Sequence, residues 1–314
     1  MYGFRVQGHR VDVNLDPVTL RPTPFTEETR SMEITPEDLL RLAVPHEDVN
    51  PVLAGVPKPG SDARREIDRY VSQLADTMGR LDEPPGFPDE AATEFGPYFY
   101  VYVYLAAAPY TRAYHRERGI PEEVSWATLT DLGRHMAMHR RRYGTPGLHA
   151  PWWHARHFSG LVYALGRLQF DRARLGEELA AGAGRPAGEP VLAVHIPDFA
   201  GPMSPEACDA SYAQARKFFP QHFPEEPFDL AICISWLLDE QLADYLPEES
   251  NIVAFQRRFR PAYLAPDNAG LISFIYGTDL PPDDLPRRTA LERAVADHLA
   301  AGKSWNMAGG YHEL

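Results

Sequence analysis

Glu189–Phe259 reads EPVLAVHIPDFAGPMSPEACDASYAQARKFFPQHFP and then EEPFDLAICISWLLDEQLADYLPEESNIVAFQRRF. Two β-rich apolar runs, Val191–Ile196 and Leu230–Leu238, each lead into a strongly signalled helix. That order is a β-α-β-α unit, and in parallel sheets ligands gather at the carboxyl ends of such strands. Leu192–Ala193–Val194 reads as a buried strand whose ladder ends at Pro197, which has no N–H to give. Ser204–Pro205–Glu206 is a helix start: a serine to accept an orphan N–H, proline at the first helical position, an acid in the first turn. Between them Asp198–Met203 forms a loop feeding a helix N-terminus, where free amides and the helix dipole favour phosphate or another anion. On geometry alone an ordinary connecting loop is the commoner outcome.

The string L-x-V-x-x-P-D-F-x-G, Leu192 to Gly201, resembles the acyl-CoA turn of the GNAT superfamily of N-acetyltransferases. Asn251–Ile252–Val253–Ala254 resembles the N-x-x-A that opens that family's fourth helix. Ala200 stands where the family prefers arginine or glutamine, Met203 or Ser204 replaces its second glycine, and one extra residue precedes Pro197. The whole chain, with LGRLQF at Leu165–Phe170, is similar to a two-domain group of bacterial acyltransferase-like proteins. The resemblance implies a mixed α+β and α/β fold. A mostly helical domain, residues 1–150, precedes a GNAT-like mixed β-sheet flanked by helices, residues 151–314.

The same resemblance implies acyl-CoA as co-substrate and an amine as acceptor. The pyrophosphate would sit on the backbone of Phe199, Ala200 and Gly201 and on N–H groups from Ser204 onward. Ile196 and Asn251 would meet the pantetheine arm, which adds its amides to an exposed strand edge as a peptide augments a sheet. Arg216 or Lys217 would take the 3′-phosphate. For this the strands ending at His195 and Ser235 must splay apart.

Acyl transfer to an amine needs ordered substrates, a base for the ammonium proton and donors for the oxyanion. His195 is the candidate base, since imidazole titrates near working pH; a packed strand histidine is the competing reading. Ser235 is a candidate for contact with the pantetheine or the carbonyl oxygen. Phe259 occupies the place of the family's acidic tyrosine and cannot donate, which leaves Tyr245 as the substitute. The alternative function is a catalytically degenerate module that binds ligand or scaffolds, because fold does not dictate function. Covalent chemistry is disfavoured. Ser235 lies in C-I-S-W-L without the glycines of a nucleophile elbow, and Cys208, near enough to a helix N-terminus for a lowered pKa, has no adjacent base.

The 314 residues suffice for two ordinary cores. A net charge of −13 argues against general nucleic-acid binding while leaving room for a local basic pocket. Two cysteines make no disulfide scaffold. MYGFRVQGHRVDV lacks an apolar signal core, and no apolar run suits a membrane span, so a cytoplasmic protein without a membrane partner is expected.

Other elements follow from period and punctuation. Val11–Leu15 is a weak strand, and Thr35 caps a short helix. Asp62–Leu81 carries one apolar stripe, Ile67, Tyr70, Val71, Leu74 and Met78. Phe95–Ala108 is helix or strand, and its period cannot decide. Trp126–Tyr143 reads as one helix closed by Gly144, with Arg140–Arg142 complementing its dipole. Gly160–Leu165 and Arg167–Arg172 are strands, the second half-buried with Arg167, Gln169 and Asp171 on its polar face. Gly182–Glu189 is a surface turn, Leu271–Tyr276 a strand, Leu285–Ala301 a helix and Trp305–Leu314 an edge strand. His135 and His139 stand at i and i+4, with His149, His154 and His157 following. Their string H-M-A-M-H lacks the glutamate of a zinc protease and a neighbouring carboxylate, so packed or exposed histidines, and no metal, are expected.

Overall fold

The computed structural model describes residues 33–81, 94–277 and 280–314. The expected strand at Val11–Leu15 lies outside the described residues. Met32–Leu314 forms one compact unit.

Its first part is helical: α1 (Pro36–Arg41), α2 (His46–Ala54), α3 (Asp62–Asp76), α4 (Phe99–Glu117), α5 (Glu122–Leu129), α6 (Asp131–Tyr143) and α7 (Pro151–Phe158). Thr35 and Asp38 close a capping box on α1, and Ser61 caps α3. The stripe on α3 packs Ile67, Tyr70, Val71 and Leu74 against Phe99, Tyr100 and Val103 of α4. The aromatic run is therefore a helix buried nearly all round, and its tyrosine hydroxyls find partners, as Tyr102 does in the carbonyl of Val52 at 2.8 Å. One correction falls at Thr130: the expected single helix Trp126–Tyr143 is two, because the chain breaks there and restarts on buried Asp131. Gly144 closes α6 in the left-handed conformation, φ +69°, as expected.

The second part is built on β1 (Val162–Leu165), β2 (Leu168–Arg174), α8 (Glu177–Ala183), β3 (Pro190–His195), α9 (Pro205–His222), β4 (Leu230–Ser235), α10 (Asn251–Gln256), β5 (Arg260–Pro266), α11 (Asn268–Tyr276), α12 (Ala290–Ala300) and β6 (Asn306–Glu313). The six strands run β1-β2-β3-β4-β6-β5, with β3 and β4 parallel and every other pair antiparallel. The sheet is thus mixed and flanked by helices, as expected for the fold class. Phe170, Leu192, Tyr212, Phe219 and Ala231 join β2, β3, α9 and β4 in the largest core.

Three expectations change here. Leu271–Tyr276 is helix α11, not a strand: Asp267 accepts from the Gly270 N–H at 2.8 Å, and that cap decides an apolar run whose period is mute. The closing segment β6 is interior, between β4 and β5. The edge is β5, where Pro261 and Pro266 withhold no needed donor. The last long helix starts later than expected, at Ala290, behind a capping box of Thr289 and Glu292.

The polar face of β2 is also not solvated. Gln169 and Asp171 are each 4% exposed, and Arg172 on the opposite face is 0% exposed. Arg172 is held by Glu226 at 2.6 and 2.8 Å, by the carbonyls of Gly79 and Gly160 at 3.1 Å each, and lies over Phe223 at 3.9 Å. A buried charge is tolerated only when so paired. Arg172→Ala, which strands Glu226 and two carbonyls, is expected to cost about 3–5 kcal/mol in urea unfolding.

His115 is buried with Nδ1 against Ser125 Oγ at 2.9 Å, and burial pushes its imidazole down to about 3. The unfolded chain takes up this proton near its ordinary value of 6.5. Stability from this group is therefore full above pH 6.5 and is lost as pH falls toward 3, by up to about 1.4 kcal/mol per pH unit. His115→Gln should flatten the fall in urea midpoint between pH 7 and pH 5, tracked at ~0.5 pH-unit steps.

Candidate active site

The expected parting of two strands is present. β3 and β4 pair only at Leu192↔Ala231 and Ala193↔Ile232. Beyond that, Val194 and His195 pair only with β2, through Phe170 and Gln169, while Cys233, Ile234 and Ser235 pair only with β6. The carboxyl ends of two parallel neighbours thus leave their facing edges unpaired, and each strand is held from its outer side. Pro197 on one side and a 3₁₀ turn at Trp236–Leu238 on the other end the ladders.

His195, half-buried at the mouth of this gap, sets Nε2 3.5 Å from Asp171 Oδ2. Arg156 of α7 clasps the same carboxylate with two N–H donors, at 2.5 and 2.8 Å. Burial pushes the Asp171 carboxyl up, but Arg156 and His195 outweigh it and hold the carboxyl below its usual value. Trp153 of α7 meets the His195 ring edge-on at 4.5 Å. The Asp171 carboxylate thus lies on the Nε2 side of the ring, though without hydrogen-bond geometry, and Nδ1 is the nitrogen away from it. Asp171, Arg156 and Trp153 were missed as site residues; the signal was two charges inside an otherwise apolar strand.

Ser204 caps α9, accepting from the Ala207 N–H at 3.3 Å. In the loop before it Gly201 is left-handed, φ +82°, and an added Cβ there would meet open space. Phe199 lies under the Arg134 guanidinium at 5.5 Å, and Asp198 pairs with Arg141 at 3.6 Å, both arginines from α6. Arg167 stands close by with Nε and Nη1 buried and unpartnered; burial pushes it down, against the charges of Cys208 and Asp198. Arg258 donates to the Pro205 carbonyl at 3.0 Å. An acidic chain therefore gathers four arginines around this loop. Ile196 and Ala200 are half-buried beside it, Ile196 against the main core.

The other expected residues divide. Asn251 opens α10, exposed, one place after the cap Ser250. Ser235 Oγ accepts from the Leu237 N–H at 3.1 Å, so it caps the turn after β4 at the edge of the gap. Tyr245 is tied elsewhere: its hydroxyl meets His298 Nδ1 at 3.0 Å and its ring lies 6.0 Å from that of Trp305. Phe259 packs on Phe255 and His312. Arg216 and Lys217 are exposed on α9, and at 1.5 Å per residue they sit roughly 18 Å along the axis from its cap. The expected lowering of Cys208 is corrected: burial pushes that thiol up, and Cys233 to about 12. A cleft of about 330 Å³ opens between α10 and β6, lined by Leu238, Val253, Phe259, Ala308 and Gly309.

The N-acyltransferase N-terminal domain matches residues 34–160 and the GNAT-like C-terminal domain residues 162–312. An acyltransferase crystallised with decanoyl-CoA and teicoplanin is 38% identical, covering 95% of this chain and 91% of that one, with a TM-score of 0.79. The chain belongs to the two-domain GNAT-like acyltransferases. A structure of an acyltransferase with decanoyl-CoA alone gives 38% identity, coverage of 88% and 87%, and a TM-score of 0.78. One with CoA and 10C-teicoplanin gives 38%, 95% and 91%, and 0.78. No curated protein matches significantly. No helix among the described residues is long and apolar enough to cross a membrane.

Ser204→Ala, which removes the α9 cap, is expected to lower stability by about 1 kcal/mol in chemical denaturation.

Proposed function

We propose that this GNAT-like acyltransferase moves an acyl group of about ten carbons from CoA to an amine of a glycopeptide-type acceptor, by direct transfer in a ternary complex. The observation that carries this reading is the parting of β3 and β4 beside His195. Unpaired strand edges suit the pantetheine amides. The amides of Phe199–Gly201 and the N-terminus of α9, ringed by Arg134, Arg141, Arg167 and Arg258, suit a diphosphate. Arg167 and Arg258 stand nearer that turn along α9 than Arg216 and Lys217 do, which makes them the better candidates for the phosphates. The α10–β6 cleft is the assigned place for the acyl chain. The division into a helical domain and a transferase domain is part of the same proposal. The α6 helix contributes Arg134 and Arg141 to the site, and α7, at the start of the 151–314 segment, contributes Trp153 and Arg156.

In the reaction the amine nitrogen attacks the thioester carbonyl, a C–N bond forms and the C–S bond breaks. His195 Nδ1 takes the proton from the ammonium, Asp171 stabilises the resulting imidazolium, and CoA leaves as a thiolate that is then protonated. Tyr245 as the acid has weaker support, since His298 holds its hydroxyl.

Decanoyl-CoA at 100 times its Kd should raise the Tm by roughly 4 °C. Decanoyl-CoA with a deacylated teicoplanin scaffold should release thiol. His195→Ala should keep the Tm shift and lose about 10²–10⁴ in kcat. Unchanged transfer at every pH would remove His195 as base, and no Tm shift would remove the transferase reading. A second reading rests on Phe259 and on Tyr245 held by His298: a module that binds acyl-CoA without transfer. A Tm shift with no thiol release for any amine would select it.

A further inference from the structure

Behind Trp153 lies a second polar cluster that the acyl-transfer reading does not use. Asp131, His154 and His157 are 1%, 0% and 0% exposed, and their ligand atoms all lie within 4.8 Å of one another. Asp131 and His135 are i and i+4 on α6, while His154 and His157 are i and i+3 on α7; both spacings put a pair on one helix face. A carboxylate four residues before His135 was in the sequence all along. The pair singled out there, His135 and His139, is not the unit: His139 turns away, its Nδ1 donating to the Thr145 carbonyl at 3.1 Å.

Asp131 Oδ2 is the common point. His135 Nε2 and His157 Nε2 are each 3.4 Å from it and His154 Nδ1 is 3.8 Å. None of these contacts has hydrogen-bond geometry, and Oδ2, His157 Nε2 and both nitrogens of His154 are buried without a partner. The tautomers explain why. Nδ1 of His135 donates to the His149 carbonyl and Nδ1 of His157 to the Trp153 carbonyl, each at 3.3 Å. Their Nε2 atoms therefore point lone pairs at a carboxylate oxygen. Lone pairs converging on a buried carboxylate repel one another unless a cation stands among them.

We propose that this cluster binds a divalent transition ion, Zn²⁺ by its nitrogen and oxygen donors, through Asp131, His154 and His157, with His135, whose Nε2 is near Asp131 alone, moving in as the fourth ligand. Zinc bonds of about 2.0–2.1 Å in a tetrahedron give ligand-to-ligand edges of about 3.3–3.4 Å. Of the edges to Asp131 Oδ2 two have that length and the third, at 3.8 Å, needs a small closure, while the imidazole nitrogens must draw together around the ion. The outer contacts are those of a metal centre: two imidazoles oriented by backbone carbonyls, and Asp131 Oδ1 held by Gln169 Nε2 at 2.9 Å. The ion would lock α7 onto α6 and β2, and so hold Trp153, whose carbonyl accepts from His157 and whose ring meets His195. This role is structural and independent of the acceptor or acyl donor.

The test uses untagged full-length protein, stripped with chelator and dialysed. One equivalent of Zn²⁺ should raise the Tm by about 5 °C or more while Mg²⁺ at the same concentration does not. Co²⁺ should give the intense visible absorption of a four-coordinate ion. His157→Gln should abolish that absorption; should it not fold, His135→Gln, at the more exposed corner, should weaken or abolish it. A Tm unmoved by Zn²⁺ together with no visible Co²⁺ bands would overturn the site. So would bands that survive in the folded variants, since they would place the ion on other histidines.

Discussion

Strand β2 carries two adjacent charges, Asp171 and Arg172, inside a layer from which water is excluded on both sides. Alternation sends them to opposite faces, so each must find its own partners. Arg172 takes Glu226 after α9 and the Gly79 carbonyl after α3. Asp171 takes Arg156 of α7 and stands beside His195 of β3. No element of the sheet alone could satisfy either. The helical part has to dock before β2 is electrostatically whole, which is why the chain from Met32 onward behaves as one compact unit while matching two family domains. The same docking fixes the candidate base.

The gap beside that base follows from how its walls are held. A strand left with one open edge is exposed to wrong pairing. Here each wall keeps a complete antiparallel partner on its far side, β2 for β3 and β6 for β4, so the inner edges stay straight where they part. Burying β6 in the interior is what makes this possible. Its Gly309 and Gly310 let Tyr263, Leu238 and Phe259 come close over that strand, where any Cβ at Gly309 would collide with the Tyr263 ring at 2.1 Å. At the other end of the sheet the outer edge of β1 is answered by Thr128, whose hydroxyl accepts from the Ala164 N–H at 2.9 Å.

Local signals in the sequence carried far: Ser204–Pro205, Thr35 and Gly144 are caps where their chemistry says they should be, and the strand, loop and helix around Pro197 are in place. Decisions made by distant contacts were not legible. LISFIY is apolar enough for either state, and only the reach of the Asp267 side chain to Gly270 settles it. NMAGGYHE reads as an exposed closing strand because nothing in it announces that β5 will cover its far side. Gln169 and Asp171 read as a wet face because alternation reports which residues share a side, not what that side meets. The same limit hid Asp131, whose partners His154 and His157 lie more than twenty residues away on another helix.

That limit also bears on the degenerate turn. Ala200 in place of arginine, and no second glycine, look like the loss of an anion site when the motif is taken by itself. A diphosphate, however, responds to field and to donors, not to the strand that supplies them. Around Asp198–Ser204 the cations arrive from α6, from the β1–β2 turn and from beyond α10, as Arg134 and Arg141, Arg167, and Arg258. Arg167 matters most in this balance. Its Nε and Nη1 are buried without acceptors, and the proposed anion beside Gly201 would give them partners. For the proposed diphosphate site, substitution within the motif and charge from outside it would be two halves of one arrangement, the charge coming from α6, the β1–β2 turn and the segment after α10.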